Sequence, residues 1–190
     1  MRAYPPFLDA IGRDHKMKKI AILFMVALLL SGGCASAPID LSKGESVPQN
    51  EGVVFGRVKV ISGEKTENFT SAFGESTFGV LVLPDGTSKA VYCPLKDDGF
   101  FTWHLRPGGY TIAAFEWRHW GISRGRVFAH FAVPKGKVSY IGTLTLVFRG
   151  GRYIKFIEDE YGLAIKAFKR QFPEIKEEIT KNLFEMEKER

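Results

Sequence analysis

Between Gly52 and Val147, hydrophobic and polar positions alternate in short runs, each closed by turn-forming residues. The pattern predicts strands over residues 53–61, 78–83, 89–93, 100–105, 110–117, 126–133 and 138–148, with 153–157 as a last one. The separators are Pro84-Asp85-Gly86, Pro94, Lys96-Asp97-Asp98-Gly99, Arg106-Pro107-Gly108-Gly109 and Pro134-Lys135-Gly136-Lys137. Side-chain parity is legible in two runs. Val127, Ala129, Phe131 and Val133 share one side of their strand, opposite Arg126, Phe128, His130 and Ala132. Phe101, Trp103 and Leu105 share another, opposite Thr102 and His104. Period-two patterning with frequent turns predicts a mainly β protein, an antiparallel β-sandwich or barrel.

The last part of the chain changes period. Tyr161, Ile165, Phe168 and Phe172 recur every three to four residues, with Asp159 as the expected N-cap. Pro173 ends that helix and opens a second, whose stripe is Ile175, Ile179, Leu183 and Met186. One or two C-terminal α-helices over residues 159–190 are therefore expected to pack on a sandwich spanning residues 51–158.

The start of the chain has neither period. Lys18 and Lys19 precede an unbroken apolar run at residues 20–30, IAILFMVALLL. A membrane-spanning helix needs ~20 apolar residues, whereas the core of a secretory signal needs ~7–15. The run ends in Ser31, Gly32 and Gly33, then Cys34. Small residues there suit a peptidase that holds its substrate extended. Residues 1–16 are polar, carry two prolines and precede the positive region, so Met17 is the expected true start. Residues 35–50 are polar with two prolines and read as a flexible tether of ~20–25 Å root-mean-square span.

The segment Leu30-Ser31-Gly32-Gly33-Cys34 resembles a bacterial lipobox, with Ser31 where Leu is commonest. The resemblance implies a signal peptide at residues 1–33, cleavage before Cys34, and lipidation of the Cys34 sulfur and new amino terminus. It also implies a membrane partner reached through lipid. Ala35 in place of Asp points to the outer membrane, facing the periplasm, in a cell that has one.

Composition then narrows the function classes. The 190 residues are 45% hydrophobic and 25% charged, which excludes a disordered polymer, and two cysteines exclude a disulfide scaffold. The formal charge of +6 invites a nucleic-acid reading. Five of the 27 basic residues and two of the 21 acidic ones precede Cys34, so the mature chain would carry only +3. No nucleic-acid-binding motif accompanies that charge. Cys93 reads as a small buried hydrophobe.

Candidate chemistry is sparse. Gly121-Ile122-Ser123-Arg124-Gly125 matches G-x-S-x-G, but it lies between two strands that read as an antiparallel pair, and a nucleophile elbow needs a strand–turn–helix. A hairpin turn explains it better. His104, His119 and His130 lack the local spacing of a metal site, so no metal or cofactor is expected. Asp97-Asp98 reads as turn chemistry and Glu158-Asp159-Glu160 as a helix start. The segment Trp117-Arg118-His119-Trp120, with Arg124 nearby, is the candidate binding loop. Its indoles and guanidiniums suit a glycan, an anionic polymer or a protein; the competing reading folds the indoles back as a cap on the sandwich.

The run from Asp98 to Ile112, DGFFTWHLRPGGYTI, is similar to a motif of transthyretin-like (prealbumin-like, carboxypeptidase regulatory-like) sandwiches. The pattern there is Asp-Gly, a strand, Leu, Pro-Gly, then Tyr-Thr-hydrophobic. Small bacterial lipoproteins of unknown function carry it too. The resemblance implies that fold and a binding or spacer role, with no catalytic residues. The expected function is a lipid-anchored, non-enzymatic envelope module that binds an envelope protein or glycan. The alternatives are a peptidoglycan- or glycan-binding module using Trp117 and Trp120, or an envelope hydrolase.

Overall fold

The computed structural model describes residues 38–69, 77–118 and 122–187, all within the compact unit Ala35–Arg190. The proposed signal peptide, Met17 and Cys34 lie outside the described residues, as do His119 and Trp120.

The strands, in chain order, are β1 Ile39–Asp40, β2 Gly52–Ser62, β3 Lys65–Thr66, β4 Phe78–Pro84, β5 Val91–Pro94, β6 Phe100–Leu105, β7 Gly108–Arg118, β8 Ile122–Val133, β9 Val138–Arg149 and β10 Arg152–Glu158. Helix α1, Tyr161–Gln171, and the short strands β11 Ile179–Lys181 and β12 Glu185–Met186 follow. One sheet has the order β1-β6-β2-β9-β10, with β11 added to β9 and β3 to β2. The other has the order β12-β8-β7-β4-β5.

The two sheets enclose one apolar cluster, so the protein is mainly β and sandwich-like. Val54, Val58, Phe101, Trp103, Ile141 and Leu144 come from the first sheet; Val80, Val82, Ile112, Phe115, Val127 and Phe131 come from the second. Phe101 stacks on Trp103 at 4.0 Å between centroids, and Phe78 bridges Phe69 and Phe115 at 4.5 and 5.7 Å. Each fully buried side chain of this size contributes ~1.5–3 kcal/mol. The expected inward sets on β6 and β8 are the ones buried.

The sandwich is not purely antiparallel. β2 and β9 run parallel through the centre of the first sheet, from Val53 opposite Val138 to Ser62 opposite Phe148. Short connections dictate antiparallel pairing only between the strands they join, here β4–β5 and β9–β10. β2 and β9 are distant in sequence, and no turn sets their direction.

The outer face of that central pair is covered as well. Val53, Phe55, Val138 and Tyr140 pack against Ala164, Phe168, Phe172 and Ile175, forming a second cluster with Leu41. Phe168 stacks on Phe55 at 4.4 Å. Being covered on both faces, β9 is buried without alternation from Val138 to Val147, its Ser139, Thr143 and Thr145 included. Asp159 Oδ1 accepts the Tyr161 N–H at 3.2 Å, so it serves the start of α1, although Glu160 occupies the cap position. The network beneath that start is polar: Thr143 donates to Glu160 at 3.0 Å, Thr145 donates to Glu158, and Lys59 lies 3.6–3.7 Å from both carboxylates.

Two boundaries differ from expectation. The tether does not run free to residue 50: Ile39 and Asp40 pair with His104 and Trp103, Leu41 N–H donates to Thr102 O at 2.8 Å, and Leu41 is buried. The open edge of β6 and an apolar niche under α1 capture it. The second helix is also absent among the described residues. β11 runs parallel to Val138–Tyr140, on the stretch of β9 that β10 does not reach, and β12 pairs with β8. Between them Phe184 enters the sandwich core, and its N–H donates to Ile141 O at 2.8 Å. Vacant strand edges and a core niche outweigh the helical propensity of a Glu/Lys-rich stretch.

Candidate functional site

The expected binding loop begins at the end of β7, and its described residues, Trp117 and Arg118, are engaged internally. Trp117 is half-buried and closes the end of the sandwich, its ring 6.2 Å from Phe78 and 5.5 Å from Phe148. For Trp117 that matches the capping arrangement, while Trp120 lies outside the described residues. Trp117 pairs with Ser123 across the hairpin, and Arg118 pairs with Ile122.

The two arginines converge on one carboxylate. Glu116, 2% exposed, accepts Arg118 Nε at 2.7 Å on Oε1. Its Oε2 accepts Arg124 Nε at 2.8 Å and lies 2.7 Å from a second Arg124 nitrogen. The Arg118 hydrogen bond, aided by Arg124 against the opposing effect of burial, holds the Glu116 carboxyl below the ordinary value of 4.5. The Arg118 guanidinium also sits 5.0 Å over the Tyr92 ring. Two charge-assisted contacts of this kind stiffen the hairpin, and they leave little unpaired positive charge to offer a ligand.

The remaining candidates are dispersed. Ser123 is exposed on β8 in an antiparallel pair and makes no hydrogen bond to an imidazole among the described residues. His104 Nδ1 contacts Glu51 Oε2 at 2.5 Å on one sheet. His130 Nδ1 contacts Thr111 Oγ1 at 2.8 Å on the other. Among the described residues no three His, Cys, Asp or Glu side chains converge on a metal position. Cys93 is buried, and desolvation pushes its thiol up to about 12.

The motif segment has a structural task. Gly99 turns at φ +70°, where a Cβ would stand 1.9 Å from Val58 O. Pro107 then carries the chain out of one sheet into the other: β6 belongs to the first and β7 to the second. Tyr110 locks the crossing, donating its hydroxyl to Arg106 O at 3.0 Å and stacking on Phe131 at 5.6 Å. A tyrosine bonded back to main chain a few residues upstream is a recurrent lock in β-sandwiches.

A cleft that sequence pattern did not reveal lies on the first sheet, whereas the hairpin belongs to the second. It opens between α1 and the outer face of β6 and encloses about 350 Å³. Phe55, Phe100 and Phe168 line its apolar part, and Lys43, Asp98 and Arg170 stand at its polar part. A neighbouring recess of about 200 Å³ shares Asp98, Phe100, Thr102 and Gln171 with it. Arg57 stacks 5.2 Å over Phe100 and donates Nε to Asp98 O at 2.8 Å. Gly44 N–H donates to Glu174 Oε1 at 2.7 Å, tying the loop that bears Lys43 to the segment after α1. Lys43 and Arg170 come from opposite ends of the domain, and only tertiary folding brings them to one opening.

No family model, curated protein or solved structure matches this chain.

Proposed function

We propose that the chain is a lipid-anchored, non-enzymatic module of the bacterial cell envelope, with a prealbumin-like sandwich that binds or supports other envelope components. The observation that carries this reading is the order of residues 18–34: two lysines, eleven unbroken apolar residues, three small residues, then Cys34. In this reading Cys34 is the acylated residue and residues 1–33 are removed. One acyl chain binds a bilayer only marginally, and two or three hold a protein there stably. Ala35 favours the outer membrane, with the domain facing the periplasm.

The captured start of the domain supports close anchoring. Only four residues separate Cys34 from the paired Ile39, so the lipid would lie within ~17 Å of β1 even with the intervening chain extended. The prealbumin-like reading is supported by the Asp98–Ile112 motif, whose Gly99, Pro107 and Tyr110 each perform a distinct task in the crossing between sheets. The non-enzymatic reading is supported by the antiparallel setting of Ser123.

Metabolic labelling with an alkyne fatty acid tests the anchor. The expressed full-length protein is expected to take up label, and Cys34→Ala is expected to lose it. Equal labelling of both, or of neither, contradicts the reading.

A further inference from the structure

We propose that the cleft between α1 and β6 binds small amphipathic carboxylates: monoanions with a single ring or a short aliphatic body. Its volume of about 350 Å³ lies in the range of small-ligand sites, ~300–1,000 Å³. Such sites combine an apolar lining with a few polar groups that fix orientation. Here the lining is aromatic and firmly held. Phe168 and Phe55 are buried and stacked at 4.4 Å, and Phe100 is clamped beneath Arg57. The buried Phe55–Phe168 stack is thus the fixed floor, and an apolar ligand body would meet the accessible edge of Phe100 and Ala167 above it.

The polar groups set the sign of the headgroup. Among the described residues neither the Lys43 nor the Arg170 side chain has a hydrogen bond or ion pair. Among the same residues Lys135, Lys166 and Lys169 are equally without an ion pair, and what distinguishes Lys43 and Arg170 is that the fold brings both to one opening. Arg118 and Arg124 hold Glu116, Lys59 faces Glu158 and Glu160, Lys96 faces Asp40, and Lys181 holds Asp159. Asp98 is the acid at the cleft. Its Oδ1 accepts the Phe100 N–H at 3.1 Å, which fixes the turn before β6. Lys43, Arg170 and Arg57 stand against two acids, Asp98 and Glu174, which leaves a single positive charge around the opening that one carboxylate would neutralise. A cationic ligand would be repelled by Lys43 and Arg170, with Asp98 as the one lining acid to offset them. A neutral one would leave their charges uncompensated and gain only the apolar contact.

The test uses the full-length chain in phospholipid nanodiscs and the probe 4-fluorophenylacetate, followed by fluorine NMR against empty nanodiscs. The neutral analogue 4-fluorophenethyl alcohol measures simple partitioning. Saturable broadening of the carboxylate signal is expected, with much weaker effects on the alcohol. Arg170→Ala and Lys43→Ala should each weaken binding by about three- to tenfold, as expected for loss of one charge-assisted contact. The double variant should abolish saturable binding, and Lys135→Ala, on the turn between β8 and β9, should leave it unchanged. Both cleft cations are exposed, so these substitutions leave the core intact. Ala167→Trp, which fills the cleft from α1, should also abolish binding while retaining the wild-type circular dichroism. No saturable binding, equal binding of the alcohol, or affinity indifferent to both cation variants overturns the proposal.

Discussion

The β7–β8 hairpin and the α1 cleft each combine arginine with aromatic rings, and they use the combination in opposite ways. In the hairpin, Trp117 turns inward onto Phe78 and Phe148, and both arginines close on Glu116. In the cleft, Phe100 lies over a buried Phe55–Phe168 floor, and Lys43 and Arg170 face the opening without a protein partner among the described residues. The difference teaches that a cationic, aromatic segment is a binding site only if its charges are not already satisfied within the fold. In the hairpin Glu116, next to Trp117 on β7, engages both Arg118 and Arg124, while His119 and Trp120 lie outside the described residues.

The sharpest way to separate the two regions is to remove the residue that anchors each. Phe168→Ala should have the largest effect, a loss of about 3–5 kcal/mol, because it empties a buried stack under α1. Denaturant unfolding reads that loss, and 4-fluorophenylacetate binding should vanish with it. Trp117→Ala should cost about 2–3 kcal/mol, less because the indole is only half-buried, and should leave probe binding intact. Loss of binding in Trp117→Ala with the cleft variants silent would reverse the comparison.

Glu116→Gln should cost about 1–2 kcal/mol by weakening two charge-assisted hydrogen bonds. Its pH signature is more telling than its size. A carboxyl whose folded-state value is lowered stabilises the fold fully above its unfolded value and loses that contribution as pH falls through the folded one. The stability of the parent chain should therefore decline as pH falls below about 4.5, and Glu116→Gln should flatten that part of the profile. An unchanged acid limb would detach Glu116 from the hairpin's stability. Arg124→Ala should have the smallest effect, below ~1 kcal/mol by thermal unfolding, since its guanidinium is largely exposed and Arg118 keeps hold of Glu116.

The long strands were legible because half-buried strands print their burial as alternation. β6 spans the expected residues, and β2, β4 and β9 differ from expectation by at most one residue at each end. β8 starts four residues earlier than its pattern suggests: Ile122, Ser123 and Arg124 carry no alternating apolar signal and are held by pairing with β7. Strand direction was less legible. The parallel β2–β9 pair depends on how distant segments meet, and a turn signal cannot report that. The final segment shows the limit of periodicity. Ile175, Ile179, Leu183 and Met186 fit a helical stripe, yet Ile175, Ile179 and Leu183 join the second cluster while Phe184 and Met186 serve the sandwich core. Spacing alone cannot distinguish a stripe facing one surface from a strap crossing between two. The cleft was invisible for a similar reason. Lys43 and Arg170 sit in unremarkable polar stretches, and nothing local announces that they will share an opening.

The identity of the mature amino terminus tests the lipid-anchor reading most directly. Intact and peptide mass spectrometry of the protein extracted from membranes should show a chain that begins at Cys34 and carries diacylglycerol and an additional acyl group. A chain retaining residues 1–33, or one beginning at an unmodified residue in the aqueous fraction, would contradict it.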